Sequence, residues 1–228
     1  MRRLAIIPAR GGSKRLPGKN IRSFCGKPMI SYILETAEKS TLFDTIHVST
    51  DCEEITRVVS DLGFPPDFPR PDKLADDHTP IMPVLKYVAE VYREKGQEFD
   101  QIWLLMACSP LVEPTDLVGA AKFSDIHNGE KAVISVAPYP VPVEWAFDLM
   151  DNGVLVPTQP GKFAIRSQDL GVKYYDTGSY VAFPSSHVFE SCGAGSDTNF
   201  IGYVISKNKA VDIDDEEDWK LAEALFKH

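Results

Sequence analysis

The feature that most limits the fold of this chain is an alternation of two apolar periodicities. Short runs, "LAIIPA", "TIHVST" and "QIWLLMA", read as strands apolar enough to be covered on both faces. Between them lie stretches with helical spacing. Met29, Ile30, Ile33, Leu34 and Ala37 share one face of "PMISYILETAEKS", and Val84, Leu85, Val88, Val91 and Tyr92 one face of "IMPVLKYVAEVYREK". A further helix, from about Pro114 to His127, precedes the strand "KAVISVA". Strands and helices alternating at these lengths predict right-handed βαβ units and a mostly parallel sheet.

The alternation breaks between about residues 138 and 175. Five prolines there, with turn signals at Asp151-Asn152-Gly153 and Pro160-Gly161, predict short antiparallel strands outside the main sheet. Trp145, Phe147, Leu149, Val154 and Val156 still need cover, either from a partner subunit or from the chain's own domain. The α/β pattern then resumes through "YVAF", "IGYVIS" and "AVDI". It closes on the helix "EEDWKLAEALFKH", whose expected buried stripe is Trp219, Ala222, Leu225 and Phe226.

Composition bounds the setting. A chain of 228 residues, 43% hydrophobic and 25% charged, supports one well-buried domain, read here as residues 1–228 with the 138–175 segment protruding. No apolar run is long enough to span a membrane, and the apolar part of "MRRLAIIPAR" is too short for a signal peptide. Cys25, Cys52, Cys108 and Cys192 lie far apart, which fits reduced thiols in a cytoplasmic protein. A net charge of -9 argues against nucleic acid as a partner.

Against that acidity, "PARGGSKRLPGKN" is a local exception directly after the first strand. In an open α/β sheet ligands bind beyond the carboxyl ends of the strands. Gly11 and Gly12 let the backbone approach a ligand and turn its amides toward it. Arg10, Lys14, Arg15 and Lys19 supply charge-assisted donors for phosphate oxygens. The spacing is neither that of a P-loop nor that of a Rossmann dinucleotide turn. The stretch is a phosphate cradle or a solvated basic turn.

A second constellation is "AVDIDDEEDW". Asp212 and Asp214, two apart on an expected strand end, would project to one face and suit Mg2+, a hard cation that completes its shell with phosphate and water. The alternative is a helix start, with Asp214 or Asp215 as cap and Glu216 and Glu217 complementing the dipole. Both hold together if Asp215 caps while Asp212 and Asp214 bind metal. His78, beside Asp76 and Asp77, is a candidate base or metal ligand, though a lone loop histidine is more often structural. Cys108, with no histidine partner evident, reads as a small apolar filler. His47, His127, His187 and His228 carry no signal.

The motif "IIPARGGSKRLPGKNI" resembles the nucleotide-binding signature of the acylneuraminate cytidylyltransferases, the CMP-sialic acid synthetases and their relatives. "STD" at Ser49–Asp51, "RPDKLADDHTP" at Arg70–Pro80, "SPL" at Ser109–Leu111 and "DIDDEEDW" follow in order, so the resemblance covers nearly the whole chain. It implies an α/β, three-layer nucleotidyltransferase (Rossmann-like), mostly parallel sheet with a small protruding β-rich dimerisation segment, hence a homodimer. It also implies transfer of CMP from CTP to the anomeric hydroxyl of a nine-carbon 2-keto sugar acid, with Mg2+ as cofactor. By position, Arg10, Lys14 and Lys19 would hold the triphosphate, within a nucleotide-binding set of Ala9, Gly11, Gly12, Asn20, Arg70 and Thr79. Asp212 and Asp214 would ligate the metal, Asp214 acting in catalysis with Arg10, Lys14 and Lys19. Met106, Ser109, Tyr175 and Asp176 would meet the sugar.

Two departures bear on the acceptor. Met106-Ala107 stands where the sialic-acid enzymes carry Gln-Pro, and "YYDTGSYVAF" looks closer to the pseudaminic-acid branch. Other readings stay open: another acceptor such as 3-deoxy-manno-octulosonate or a sugar 1-phosphate, or a non-catalytic nucleotide-binding module.

Overall fold

Strand β1 (Arg3–Pro8) shows why the opening runs are apolar throughout: Ala5 and Ile7 enter one core cluster, and Leu4 and Ile6 another on the opposite side. A strand buried on both faces has no polar side to show. The protein is described by a computed structural model covering residues 1–13, 15–76, 78–196 and 198–227. After β1 come the small hairpin of β2 (Ser23–Phe24) and β3 (Lys27–Pro28), then α1 (Met29–Ser40), β4 (Thr45–Ser49) and α2 (Glu53–Asp61). Next are α3 (Ile81–Glu94), β5 (Gln101–Leu105), α4 (Pro114–Ile126) and β6 (Ala132–Pro138). The hairpin β7 (Phe147–Leu149) and β8 (Leu155–Pro157) forms the lobe. Then follow β9 (Tyr174–Pro184), α5 (Ser185–Glu190), β10 (Phe200–Val204) and α6 (Glu216–Phe226).

The main sheet has the order β10-β6-β9-β5-β1-β4. Strand β1 pairs parallel with β4 and β5, and β10 parallel with β6. Strand β9 runs antiparallel to both β5 and β6 and joins the two parallel groups. Helices α1, α2 and α4 cover one face, and α3 and α5 the other, giving three layers. The expected faces of α1 and α3 are the buried ones, except that Val91 is only half-buried.

A third cluster positions the site. Leu16 from the basic loop, Phe24 and Met29 pack with Ile213, Trp219 and Ala222. The Phe24 ring meets Trp219, Tyr32 and Phe226 edge-on at centroid distances of 5.4, 5.5 and 5.6 Å. The two ends of the chain are thereby clamped together.

Three expectations need correction. "AVDI" is not a strand: residues 210–215 carry no regular structure, so Asp212 and Asp214 do not sit on a strand end. The Asp218 carboxylate accepts from the N–H groups of both Asp214 and Asp215, which turns the backbone into the start of α6 instead of along a neighbouring strand. "YVAF" is a strand as expected, but it belongs to a longer one, the eleven-residue β9, and the correction is to its length and to its direction against the parallel strands. In α6, Trp219 and Ala222 are buried but Leu225 is half-buried and Phe226 is 40% exposed.

In the lobe, the hairpin turn falls at residues 151–153, where Gly153 takes φ +80° and the Val154 carbonyl accepts from Met150 N–H. Trp145 and Phe147 pack on Phe163, yet Leu149, Val154, Leu155 and Val156 remain exposed.

Candidate active site

A cleft of about 580 Å³ opens beyond the carboxyl ends of β1 and β5. It is lined by Arg10, Ser13, Arg15, Lys19 and Asn20 of the basic loop, and by Arg70, Leu74, Asp76 and Thr79 of the segment before α3. Ile81, Val84, Met106 and Asp214 complete it. Residues from both ends of the sequence therefore meet in one space.

The loop is held by specific contacts. Asn20 Nδ2 donates to the Arg10 carbonyl at 3.0 Å, and the Cys108 thiol donates to Asn20 Oδ1 at 3.3 Å. Gly11 N–H donates to Asp51 Oδ1 at 3.3 Å, and a Cβ on Gly11 would lie 3.0 Å from Cys52 Cβ. A larger residue would press on Cys52, and the Gly11 amide is committed to Asp51 of "STD" instead of to the cleft. Ala9 is fully buried, its N–H bonded to the Ser49 carbonyl, and it anchors the start of the loop. Gly12 is exposed and has open space around it. Lys14 lies outside the described residues.

Charge concentrates at Asp214. Arg15 Nη2 stands 2.8 Å from its Oδ2 and Lys19 Nζ 3.5 Å from its Oδ1. Lys19 also donates to the Ile213 carbonyl at 2.7 Å. Asp212 lies beside Asp214, its carboxyl about 3.6 Å from where a Cβ on Gly178 would be. Burial raises the Asp212 pKa first, and the charge of Asp214 raises it further. Such mutual repulsion is what a shared cation relieves. Asp215 Oδ1 accepts from the N–H groups of Glu217 and Asp218 and caps α6, so the capping role falls to Asp215; of the other two carboxylates Asp214 lines the cleft, while Asp212 lies beside it, outside the lining. Among the described residues no group of three or more His, Cys, Asp or Glu is placed to hold a metal by itself. Two hard carboxylates fit Mg2+, which ordinarily keeps phosphate and water in its shell.

On the opposite wall Arg70 is buried, with Nε and Nη2 donating to Ser49 Oγ and the Ser49 carbonyl at 3.1 and 2.6 Å. Burial lowers its pKa and nearby Asp51 opposes the shift; a guanidinium stays charged through such a change. Asp76 accepts from the N–H groups of His78 and Thr79, each at 2.7 Å, and these bonds hold its pKa below the usual carboxylate range. Arg10 Nη1 donates to the Asp76 carbonyl at 3.3 Å. "DDHTP" is thus a tight turn that presents Thr79, with Asp76 as its organiser. That signal, an Asx turn, stands in the sequence unread. His78 is not part of the cleft lining, and Asp77 lies outside the described residues.

Of the expected sugar contacts, Met106 lines the cleft, 38% exposed, with its N–H donating to the Ser179 carbonyl. Ser109 is buried and its carbonyl accepts from Val112 N–H, so it shapes the turn behind the cleft. Tyr175 donates to the Ala210 carbonyl at 3.4 Å, outside the cleft lining. Asp176 lines a second chamber, adjoining at Ile81. Burial pushes the Cys108 thiol up to about 12, so it is no nucleophile near neutral pH.

Fold and cleft together are those of an α/β nucleotidyltransferase. The solved structure of CMP:2-keto-3-deoxy-manno-octonic acid synthetase complexed with CTP superposes with a TM-score of 0.71, covering 100% of this chain and 99% of that one at 17% identity. Residues 4–140 match the family described as cytidylyltransferase, and the chain belongs to that family. A pseudaminic acid cytidylyltransferase of Campylobacter jejuni is 34% identical over 100% of this chain and 97% of its own. A CMP-N,N'-diacetyllegionaminic acid synthase of Legionella pneumophila is 31% identical over 99% and 97%.

Proposed function

We propose that this cytidylyltransferase moves CMP from CTP to the anomeric hydroxyl of a nine-carbon 2-keto sugar acid of the pseudaminic type, releasing pyrophosphate. The observation that carries the reading is the convergence of Arg10, Arg15, Lys19 and Arg70 with Asp214 in one cleft. Cations there oppose the triphosphate, and a carboxylate pair stands beside it. Lys19 and Arg10, with Lys14 by its place in the motif, hold the phosphates, and Gly12 keeps the loop open to them. Asn20, Arg70 and Thr79 place the cytidine, over the base formed by Ala9 and Gly11.

Asp212 and Asp214 would hold Mg2+, which when bound neutralises charge growing on the α-phosphate and the leaving pyrophosphate. The lysines and arginines stabilise the same charge from the other side, in a cleft where such fixed charges act more strongly than in water. Holding the acceptor hydroxyl in line with the α-phosphate supplies much of the remaining rate.

The acceptor follows from the wall that meets it. Met106 offers an apolar, polarizable surface in place of an amide. Ser109 closes the turn that follows it, and Asp176, with Tyr175 beside it on β9, would flank the acceptor side. Relatives named for pseudaminic and diacetyllegionaminic acids agree with this choice. The likeness to the 3-deoxy-manno-octonic acid enzyme is one of fold alone. Pyrophosphate release from CTP with a panel of acids tests the reading: kcat/KM should be higher for a pseudaminic-type acid than for N-acetylneuraminic acid. The reverse order would overturn the acceptor, and no release with any acid would overturn the function.

The protein would act as a cytoplasmic homodimer joined through the 138–175 segment. Exposed apolar residues on β7 and β8 support the assembly, and the free cysteines Cys25, Cys52, Cys108 and Cys192 support the compartment. No helix of the described residues is long and apolar enough to cross a membrane.

A further inference from the structure

Among the described residues between β1 and β2, none belongs to a strand or a helix. The basic loop therefore takes its shape from contacts with the rest of the molecule. One side chain closes its neck: Asn20 Nδ2 donates to the Arg10 carbonyl, ten residues back, at 3.0 Å. The Asn20 backbone is held separately, its carbonyl accepting from the Ile30 N–H of α1 at 2.8 Å. What remains to be fixed is the direction of the Asn20 amide, and the group that meets it is Cys108. The Cys108 thiol donates to Asn20 Oδ1 at 3.3 Å. Cys108 is itself held from both sides along the chain. Met106 N–H donates to the Ser179 carbonyl at 2.9 Å, and the Ser109 carbonyl accepts from Val112 N–H at 3.4 Å. The residue also packs against the cluster that contains Leu16, Phe24 and Ile213.

An asparagine amide has two lone pairs on Oδ1 and two hydrogens on Nδ2. One of each is engaged inside the protein, and one of each is left on a side chain that lines the nucleotide cleft. Turned end for end, the amide would set Oδ1 against the Arg10 carbonyl, acceptor against acceptor, and would leave the thiol without its acceptor. Two neighbours of opposite sense thus admit a single orientation, and Cys108 is one of them. The residue that composition reads as an apolar filler acts here as a donor. We propose that Cys108 is a positioning residue for the nucleotide: its thiol holds the Asn20 amide in the orientation that closes the neck of the basic loop and presents a fixed donor and acceptor to the cleft. The proposal rests on CTP as the occupant of that cleft and adds to it the group that aims one of its contacts.

The readout is CTP affinity, measured by calorimetry with no acceptor present. Cys108→Ala should weaken CTP about three- to tenfold, the effect of one lost hydrogen bond. Cys108→Val, which fills the site but has no donor, should weaken it by a similar factor and keeps the test open if the alanine variant does not fold. Cys108→Ser retains a donor and should stay within about twofold of the wild type. Asn20→Ala weakens CTP by itself, and in that background Cys108→Ala should add less than about twofold, because two residues acting through one contact are not additive. Wild-type affinity in the alanine and valine variants would overturn the role. So would a serine variant as weak as the alanine one, or full additivity of the two alanine changes. A wild-type protein that did not bind CTP would instead overturn the functional reading on which the role stands.

Discussion

Asp214 carries more of the site than any other single residue. Its carboxylate faces Arg15 and Lys19, and its N–H donates to Asp218, so one residue joins the cleft to the start of α6. Asp214→Asn keeps the backbone bond and the side-chain shape while removing the charge. Turnover should fall about a hundredfold, roughly 3 kcal/mol of transition-state stabilisation. The circular dichroism spectrum and the melting temperature should change little, because exposed ion pairs contribute little to stability. Near wild-type turnover at saturating Mg2+ would reduce Asp214 to a helix-start residue. The meeting of Lys19 and Asp214 in the cleft was legible because charge in an acidic chain is conspicuous. Those of Asp51 and Asp76 were not, because both act on backbone N–H groups, and which amide a carboxylate will face depends on a turn's dihedral angles.

Among the elements, β4 carries a titrating group away from the cleft. His47 is buried, stacks on Phe68 at 4.3 Å, and its Nδ1 lies 3.2 Å from the Tyr92 hydroxyl. Burial is the main cause that lowers its pKa from 6.5 to about 4; Asp67 opposes, and Lys95 and Arg70 assist. The unfolded chain therefore takes up this proton at a higher pH than the folded one does. Stability from His47 is complete above pH 6.5 and is lost as pH falls toward 4, on the order of 3 kcal/mol. Urea unfolding across that window should show the slope in the wild type and a flatter profile in His47→Gln. Coincident profiles would mean that the folded protein protonates His47 freely. Helices α1 and α3 were readable because their apolar residues recur at i, i+3 and i+4. The direction of β9 was not, since a strand's period is the same whichever way it runs. Nor was the irregular path through Asp212 and Asp214, which is set by Asp218 and by Ile213 seeking the Trp219 cluster.

At the scale of the whole molecule, the lobe leaves apolar surface uncovered. Leu149 and Leu155 are register partners across β7 and β8, 72% and 56% exposed. Contiguous apolar exposure of this kind suits a contact surface, and the proposed two-fold dimer would cover it by pairing the patch with itself. Sedimentation should show a dimer at micromolar concentration, and Leu149→Asp a monomer with its CTP affinity retained. A wild-type monomer at that concentration would remove the assembly. The prolines and turn signals announced this lobe in the sequence; its exposed face did not show there, because apolar residues look alike whether their cover comes from within or from another chain.

The clamp between the chain ends also orders events in time. Lys19 and Ile213, joined by a hydrogen bond, are 194 residues apart. At ordinary synthesis rates of about 5–20 residues per second, the basic loop waits roughly 10–40 s for its acidic counterpart to emerge from the ribosome. A nascent chain can lay down β1, β4 and β5 early, but it has no place for a nucleotide triphosphate until Ile213 and Trp219 arrive. Truncation just before α6 would therefore yield a sheet without its completed cleft, and the cleft cannot close until the chain has been made through Asp214 and Trp219.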